Sequence, residues 1–248
     1  MTTAGLSLAL EHIAKRFGTT QALRDASLRV RQGTVHALLG ENGAGKTTLM
    51  RVAYGMEAPD QGEVRIGADA VHLRSPADAL ARGVGMVHQH FTLVPAMTVA
   101  ENIALGHHGR FDAAGAAGRV RELASVTGLV ADPAARVGDL PVSAQQRVEL
   151  LKVLSRQVDV LVLDEPTAVL APAEVDALLR QLREFADAGR AVVLITHKLR
   201  EALSIADDVT VLRRGVTTLA EQSDAIDEER LIDAMLGHQH ATLPPTRT

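Results

Sequence analysis

Short, predominantly apolar runs punctuate the chain at 35–39, 84–87, 160–163, 191–195 and 209–212, with His36 and Thr210 as the polar residues within them. Such a run, without regular polar alternation, predicts a strand covered on both faces, as in the middle of a parallel sheet. The stretch from Leu6 to Val30 alternates only partially and reads as edge-type strands, and 62–66 continues that character. A small antiparallel patch is therefore expected beside the main sheet.

Between these runs the apolar spacing lengthens to the helical period. Over 172–188, Val175, Leu178, Leu179, Leu182 and Phe185 fall on one face, with Pro172 at the start and Gly189 at the end. Over 143–157, Val148, Leu151 and Leu154 share a side. Ser75-Pro76-Ala77-Asp78 reads as an N-cap, a first-turn proline and an acid near the third helical position. From about Phe91 to Ser155 the strand signal gives way to alanine-rich helical sequence. The expected organisation is an α/β core of 1–90 and 156–237, a helical subdomain inserted at 91–155, and a flexible tail at 238–248. Within the insertion, 107–118 is rich in glycine and alanine and is expected to be a loop.

Composition narrows the packing and the chemistry. Hydrophobic residues make up 46% of the 248 and aromatics only 2%, so the core must be built from Val, Leu, Ile and Ala. Cysteine is absent, which excludes disulfides, thiolate metal sites and cysteine nucleophiles. The net charge of −4, without a basic block, argues against nucleic acid as a partner. No apolar run approaches the ~20 residues of a membrane helix, and the first ten residues lack the pattern of a signal peptide. Any membrane role is expected to go through a partner.

The run Gly40-Glu41-Asn42-Gly43-Ala44-Gly45-Lys46-Thr47-Thr48 follows the apolar 35–39 stretch directly. It fits G-x-x-x-x-G-K-[ST], a loop that wraps phosphates between a strand and a helix. Glycines let its amides approach the anion, Lys46 would reach the β- and γ-phosphates, and the Thr47 hydroxyl would hold Mg²⁺. The bland alternative is a glycine-rich turn that binds nothing.

The 160–163 run ends in Asp164-Glu165. Asp164 is expected to support the Mg²⁺ shell and Glu165 to polarise a water aimed at the γ-phosphate. Ile195-Thr196-His197 ends another buried strand, and His197 is expected to contact the γ-phosphate and orient Glu165. Gln89, just after 84–87, is neutral and long enough to meet Mg²⁺ or the attacking water. His88 and His90 would face one side of an extended segment, but no third metal ligand is evident, nor for His107/His108 or His238/His240.

The order of phosphate loop, glutamine, helical insertion, Asp-Glu strand and histidine strand resembles the ATP-binding cassette (ABC) ATPases from about Leu8 to Gly237. The resemblance implies an α/β P-loop NTPase fold of RecA-like type, mostly parallel, with a small antiparallel patch and an inserted helical subdomain. It implies that Gly40 to Thr48 is the Walker A loop, Gln89 the Q-loop, Val160 to Glu165 Walker B with its catalytic glutamate, and His197 the switch histidine. Phe17 matches the aromatic residue that stacks on adenine. Met86-Val87-His88-Gln89-His90-Phe91, Asp164-Glu165-Pro166-Thr167-Ala168-Val169-Leu170 and Thr196-His197-Lys198-Leu199-Arg200-Glu201 look like importers of simple sugars and nucleosides. Those importers usually fuse two cassettes, and this chain resembles the first, standing alone.

The family signature, Leu-Ser-Gly-Gly-Gln, closes the partner cassette's ATP. Here the aligned stretch reads Leu140, Pro141, Val142, Ser143, Ala144, Gln145. Pro141 has neither the hydroxyl nor the N–H of the serine it replaces, and Ala171 stands where many cassettes carry aspartate. The resemblance implies ATP and Mg²⁺ as ligands, a second cassette with an intact signature, transmembrane permease subunits, an indirect link to a solute-binding protein, and a place on the cytoplasmic face of the membrane. A soluble non-transport ABC ATPase and a non-hydrolysing regulatory subunit remain the alternatives.

Overall fold

The computed structural model describes residues 5–89, 91–107 and 110–237. A ten-stranded sheet runs in the order β5-β4-β1-β2-β10-β9-β3-β8-β7-β6. Its central strands are β3 (Val35–Leu39), β6 (Val84–Val87), β7 (Val160–Asp164), β8 (Ala191–Ile195) and β9 (Asp208–Arg213), all mutually parallel where they neighbour. The apolar runs thus become the strands they predict, with boundaries differing by a residue.

Full burial follows from the period-two alternation of each strand between two packed faces. In β7, Val160 and Val162 join one core while Leu161 and Leu163 join another, and in β8 Val193 and Ile195 part from Val192 and Leu194 in the same way. A third core on the second face gathers Ala37, Leu39, Val209 and Val211 against α7 (Leu199–Ile205) and α8 (Glu228–Leu236).

The antiparallel patch contains β1 (Leu6–Phe17), β2 (Thr20–Arg31), β4 (Gln61–Ile66) and β5 (Asp69–Val71). It adjoins the main sheet at a single parallel pair, Val216 with Asp25, through β10 (Val216–Gln222). The partial alternation of β1 has a cause in its backbone. His12 adopts φ 53° and the register shifts between Leu10 and Ile13, so Leu8, Leu10 and then Ile13 all reach the core. An extra residue inserted in this way turns an even pattern into an odd one.

Helices α1 (Lys46–Ala53), α2 (Pro76–Ala81) and α6 (Pro172–Asp187) lie between the strands. The Ser75 side chain caps α2 by accepting from the Asp78 N–H at 3.2 Å. Between β6 and β7 the described residues form no strand, only an isolated bridge from Thr98 to Arg136. That stretch carries α3 (Val99–Ala104), α4 (Ala113–Thr127) and α5 (Val142–Leu154). Their apolar faces, including Ile103, Val120 and Leu151, share one core with Leu161, Leu163 and Leu178, so the helices are continuous with the sheet's packing.

The loop expected over 107–118 is corrected from 113 onward. Asp112 accepts hydrogen bonds from the Ala114 and Gly115 N–H groups, and this cap starts α4 inside the glycine-alanine run. The 143–157 helix begins one residue earlier and ends three earlier. The tail at 238–248, with His238 and His240, and also His90 and His108, lies outside the described residues. Among the described residues no helix is long and apolar enough to cross a membrane.

Candidate functional site

The C-terminal ends of β3, β8, β7 and β6 lie side by side along one edge of the sheet. The glycine-rich loop, His197, the Asp164-Glu165 pair and Gln89 sit at or just beyond those ends. This edge of an open α/β sheet is where ligands bind.

Between β3 and α1 the backbone has φ of 151° at Gly40 and 108° at Gly45. A Cβ on Gly40 would lie 2.2 Å from the Leu212 carbonyl oxygen, and one on Gly45 2.7 Å from Leu23 Cδ2. Both positions therefore need glycine for space as well as torsion. Gly45 is the N-cap of α1 and no side chain caps that end, which leaves first-turn N–H groups for an anion.

Lys46 is buried and braces the loop, with Nζ donating to the carbonyl oxygens of Gly40 at 2.7 Å and Glu41 at 3.1 Å. Burial pulls its ammonium below the ordinary lysine value, while Glu165 and Asp164 push it back up. Thr47 Oγ1 donates to Asp164 Oδ2 at 3.0 Å. Asp164 is 3% exposed, and burial pushes its carboxyl up against the downward pull of the Thr47 hydroxyl.

Adjacent residues of a strand point to opposite faces, yet Asp164 and Glu165 line the same cleft. The reason is Glu165's φ of 51°, in a region that costs a non-glycine residue roughly 1–2 kcal/mol. Its N–H is tied to the Ile195 carbonyl oxygen at 3.0 Å, and its carboxylate Oε1 lies 2.9 Å from His197 Nδ1.

The open cleft measures about 630 Å³ and is lined by the loop from 42 to 48 (Asn42, Gly43, Ala44, Gly45, Lys46, Thr47 and Thr48) with Gln89, Asp164 and Glu165. Its other wall was not legible in the motifs. Thr20, Gln21, Ala22 and Arg24 of β2 and Arg214 of the β9–β10 turn complete it. The turn docks through Gly215, whose N–H donates to the Ala44 carbonyl oxygen at 2.8 Å and whose own oxygen accepts from the Arg24 N–H at 2.8 Å.

Phe17 and His197 are not in the lining. Phe17 is 42% exposed at the end of β1, across the hairpin from Thr20, with Lys15 Nζ 5.4 Å from its ring centroid. The ring is therefore outside the core. His197 reaches the cleft through its bond to Glu165.

The stretch Leu140–Gln145 also stands apart from the lining. Pro141 is the N-cap of α5 and no side chain caps that end. Gln145 Nε2 donates back to the Leu140 carbonyl oxygen at 2.9 Å. The Ser143 hydroxyl bonds the Glu174 carboxylate, and together with the Ala171 N–H it holds that carboxyl below its ordinary value. Among the described residues no group of three or more His, Asp and Glu side chains is placed to hold a metal ion by itself. His88 instead packs edge-on against Tyr54, ring centroids 5.8 Å apart.

A family model described as ABC transporter matches residues 23–168. The chain is 44% identical to the nucleoside import ATP-binding protein NupA of Lactococcus lactis subsp. cremoris, over 91% of this chain and 45% of that protein. It is 40% identical to the glucose import ATP-binding protein TsgD13 of Haloferax volcanii, over 94% of this chain and 48% of that one. The chain thus spans about half the length of the curated relatives it matches. The fold superimposes on a crystal structure of an ATP-binding cassette of an ABC transporter in its ADP conformation. That match has a TM-score of 0.80 at 23% identity and covers 94% of this chain and 99% of that one.

Proposed function

The chain belongs to the ABC transporter family, and on that premise we propose that it is the ATP-binding and ATP-hydrolysing subunit of an import complex. The observation that carries the reading is the Glu165–His197 pair, 2.9 Å apart, with the Glu165 carboxylate in the same cleft as Lys46 and Thr47.

In this reading the loop amides and Lys46 cradle the phosphates. Thr47 and Asp164 present hard oxygen donors 3.0 Å apart, a set that suits Mg²⁺, which takes one or two protein oxygens and completes its shell with phosphate and water. The bound ion would neutralise charge on the β- and γ-phosphate oxygens. Glu165 accepts the proton of the attacking water, His197 holds that carboxylate and meets the γ-phosphate, and Gln89 reaches the ion or the water. Residues 1–90 and 156–237 act as the α/β core and 91–155 as the helical subdomain.

Phe17 stacks on adenine. Such a base–aromatic contact is worth roughly 1–3 kcal/mol and reads a π-face, so discrimination between ATP and GTP should be modest. Phe17→Ala is expected to weaken ATP binding by that amount in calorimetry, and equal affinities would remove Phe17 from the site.

The names of the relatives point to nucleosides and simple sugars as cargo; in this reading permease subunits carry the solute, with a solute-binding protein upstream. The chain would then sit on the cytoplasmic face of the membrane, held by the permease. The segment 91–95 is suited to dock there, with Val94 and Pro95 exposed. Its backbone is pinned by buried Asn102, which accepts from the Val94 N–H at 2.7 Å and donates to the Val94 oxygen at 3.0 Å.

Because Pro141 removes a donor from the stretch that serves a partner's ATP, the productive assembly pairs this chain with a cassette bearing an intact signature. Loss of one preorganised donor at a transferring phosphoryl group costs about 2.7–4 kcal/mol by analogy with oxyanion holes. The purified chain should therefore hydrolyse ATP poorly at any concentration. Adding the partner cassette should raise turnover, and the gain should vanish when this chain carries Glu165→Gln. Robust, concentration-dependent hydrolysis by the chain alone would overturn this assembly. ATP binding without turnover in the mixed complex would favour a regulatory subunit instead.

A further inference from the structure

The pair formed by Glu165 and His197 is poorly placed to hold itself together. Glu165 sits in a strained backbone region, φ 51°, and the His197 side chain is 52% exposed. A contact with one partner half in solvent does little to fix its own geometry. Its geometry must be imposed from elsewhere.

Beside it lies a network that the catalytic reading does not use. Thr167, two residues beyond Glu165, is 1% exposed, and its hydroxyl donates to Glu201 Oε2 at 2.5 Å. Lys198, next to His197, donates from Nζ to Glu201 Oε1 at 2.9 Å and to the Thr167 carbonyl oxygen at 3.1 Å. The Lys198 N–H is itself held by Thr196 Oγ1 at 3.0 Å. From the opposite side, the buried Gln146 amide of α5 donates to the Pro166 carbonyl oxygen. The loop leaving β7 and the loop leaving β8 are thus cross-linked immediately behind the two residues that must meet.

We propose that Thr167, Lys198 and Glu201 form a clamp that sets the Glu165–His197 geometry, with Glu201 and Thr167 as positioning residues for hydrolysis. None of the three lines the nucleotide cleft, so the clamp acts on turnover rather than on nucleotide binding. Glu201 is the hub of this partly buried network, taking Thr167 on one carboxylate oxygen and Lys198 on the other, so removing either donor leaves one of its oxygens without that partner and frees one loop from the other. The proposal rests on the functional reading above.

The test compares Thr167→Val, Thr167→Ser and Lys198→Met in the assembled transporter, with ATP affinity measured separately by calorimetry. Thr167→Val keeps the shape and removes the hydroxyl, so kcat should fall roughly 10–100-fold, the scale of a small misplacement of a reacting group. ATP affinity and KM should change less than about twofold, within the scatter of independent sites. Thr167→Ser, which keeps the donor, should restore kcat. Lys198→Met, at a partly exposed position where folding is not at stake, should lower kcat alone as well. In a His197→Ala background Thr167→Val should produce no further loss, because the clamp acts through that histidine.

Unchanged kcat in Thr167→Val and Lys198→Met, additive losses with His197→Ala, or parallel losses of kcat and ATP affinity would overturn the clamp while leaving the functional reading intact. If the wild-type complex hydrolyses no ATP, or hydrolysis survives Glu165→Gln, the functional reading itself fails and the clamp with it.

Discussion

Glu165→Gln is expected to retain ATP binding and to lower turnover in the assembled complex by about 10²–10⁴-fold, the usual contribution of a positioned general base. The substitution keeps the size of the side chain and a hydrogen-bond acceptor for His197, so the 2.9 Å contact survives. It removes the basic oxygen that would take the proton from water. Asp164 cannot substitute, since it is committed to the Thr47 hydroxyl at 3.0 Å. Wild-type hydrolysis by the variant, measured as phosphate release, would remove Glu165 from the mechanism. A loss of ATP affinity equal to the loss of rate would assign it to binding instead.

Lys46→Ala is expected to act one step earlier, on the nucleotide itself. A hydrogen bond to a charged partner contributes about 1.5–3 kcal/mol, which is roughly a 10–150-fold rise in Kd for ATP. The loss should be nearly absent for AMP if, as proposed, the ammonium serves the β- and γ-phosphates rather than the α-phosphate. In the structure Nζ is satisfied by the Gly40 and Glu41 oxygens, so in the proposed reading nucleotide binding would exchange one set of partners for another. Calorimetry with ATP, ADP and AMP measures the gradient. Equal affinities of variant and wild type for ATP would argue that the loop is only a turn.

Both experiments probe residues that were visible in the chain because their chemistry is local. The Gly40–Thr48 loop is contiguous, and its flanking strand from Val35 to Leu39 is apolar at every position but His36. Strands covered on both faces are mostly apolar, so β3, β7 and β8 announce themselves, and the residues that end them fall at the sheet edge. The starts of α2 and α6 are local in the same sense, since the Ser75 cap and the first-turn Pro172 act within a turn of where they stand.

What the chain could not disclose depends on segments far apart in sequence. The sheet order decides that β2 and the Arg214 turn form a wall of the phosphate cleft, although nothing in Thr20, Gln21 or Arg24 marks them as lining residues. β1 follows no clean period, because the bulge at His12 shifts it from one parity to the other. The start of α4 was masked by glycine and alanine, and only the Asp112 carboxylate reaching two N–H groups converts that run into a helix. The left-handed turn at Glu165 is a tertiary decision as well. Its cost of roughly 1–2 kcal/mol is tolerable only where neighbouring loops hold the residue. Here those contacts come from Ile195, from Gln146 at Pro166, and from the Thr167–Glu201–Lys198 network. Residue types and local spacing determine which groups are available for chemistry, while the packing of distant segments determines their directions, since orientation is paid for by contacts that no local pattern encodes.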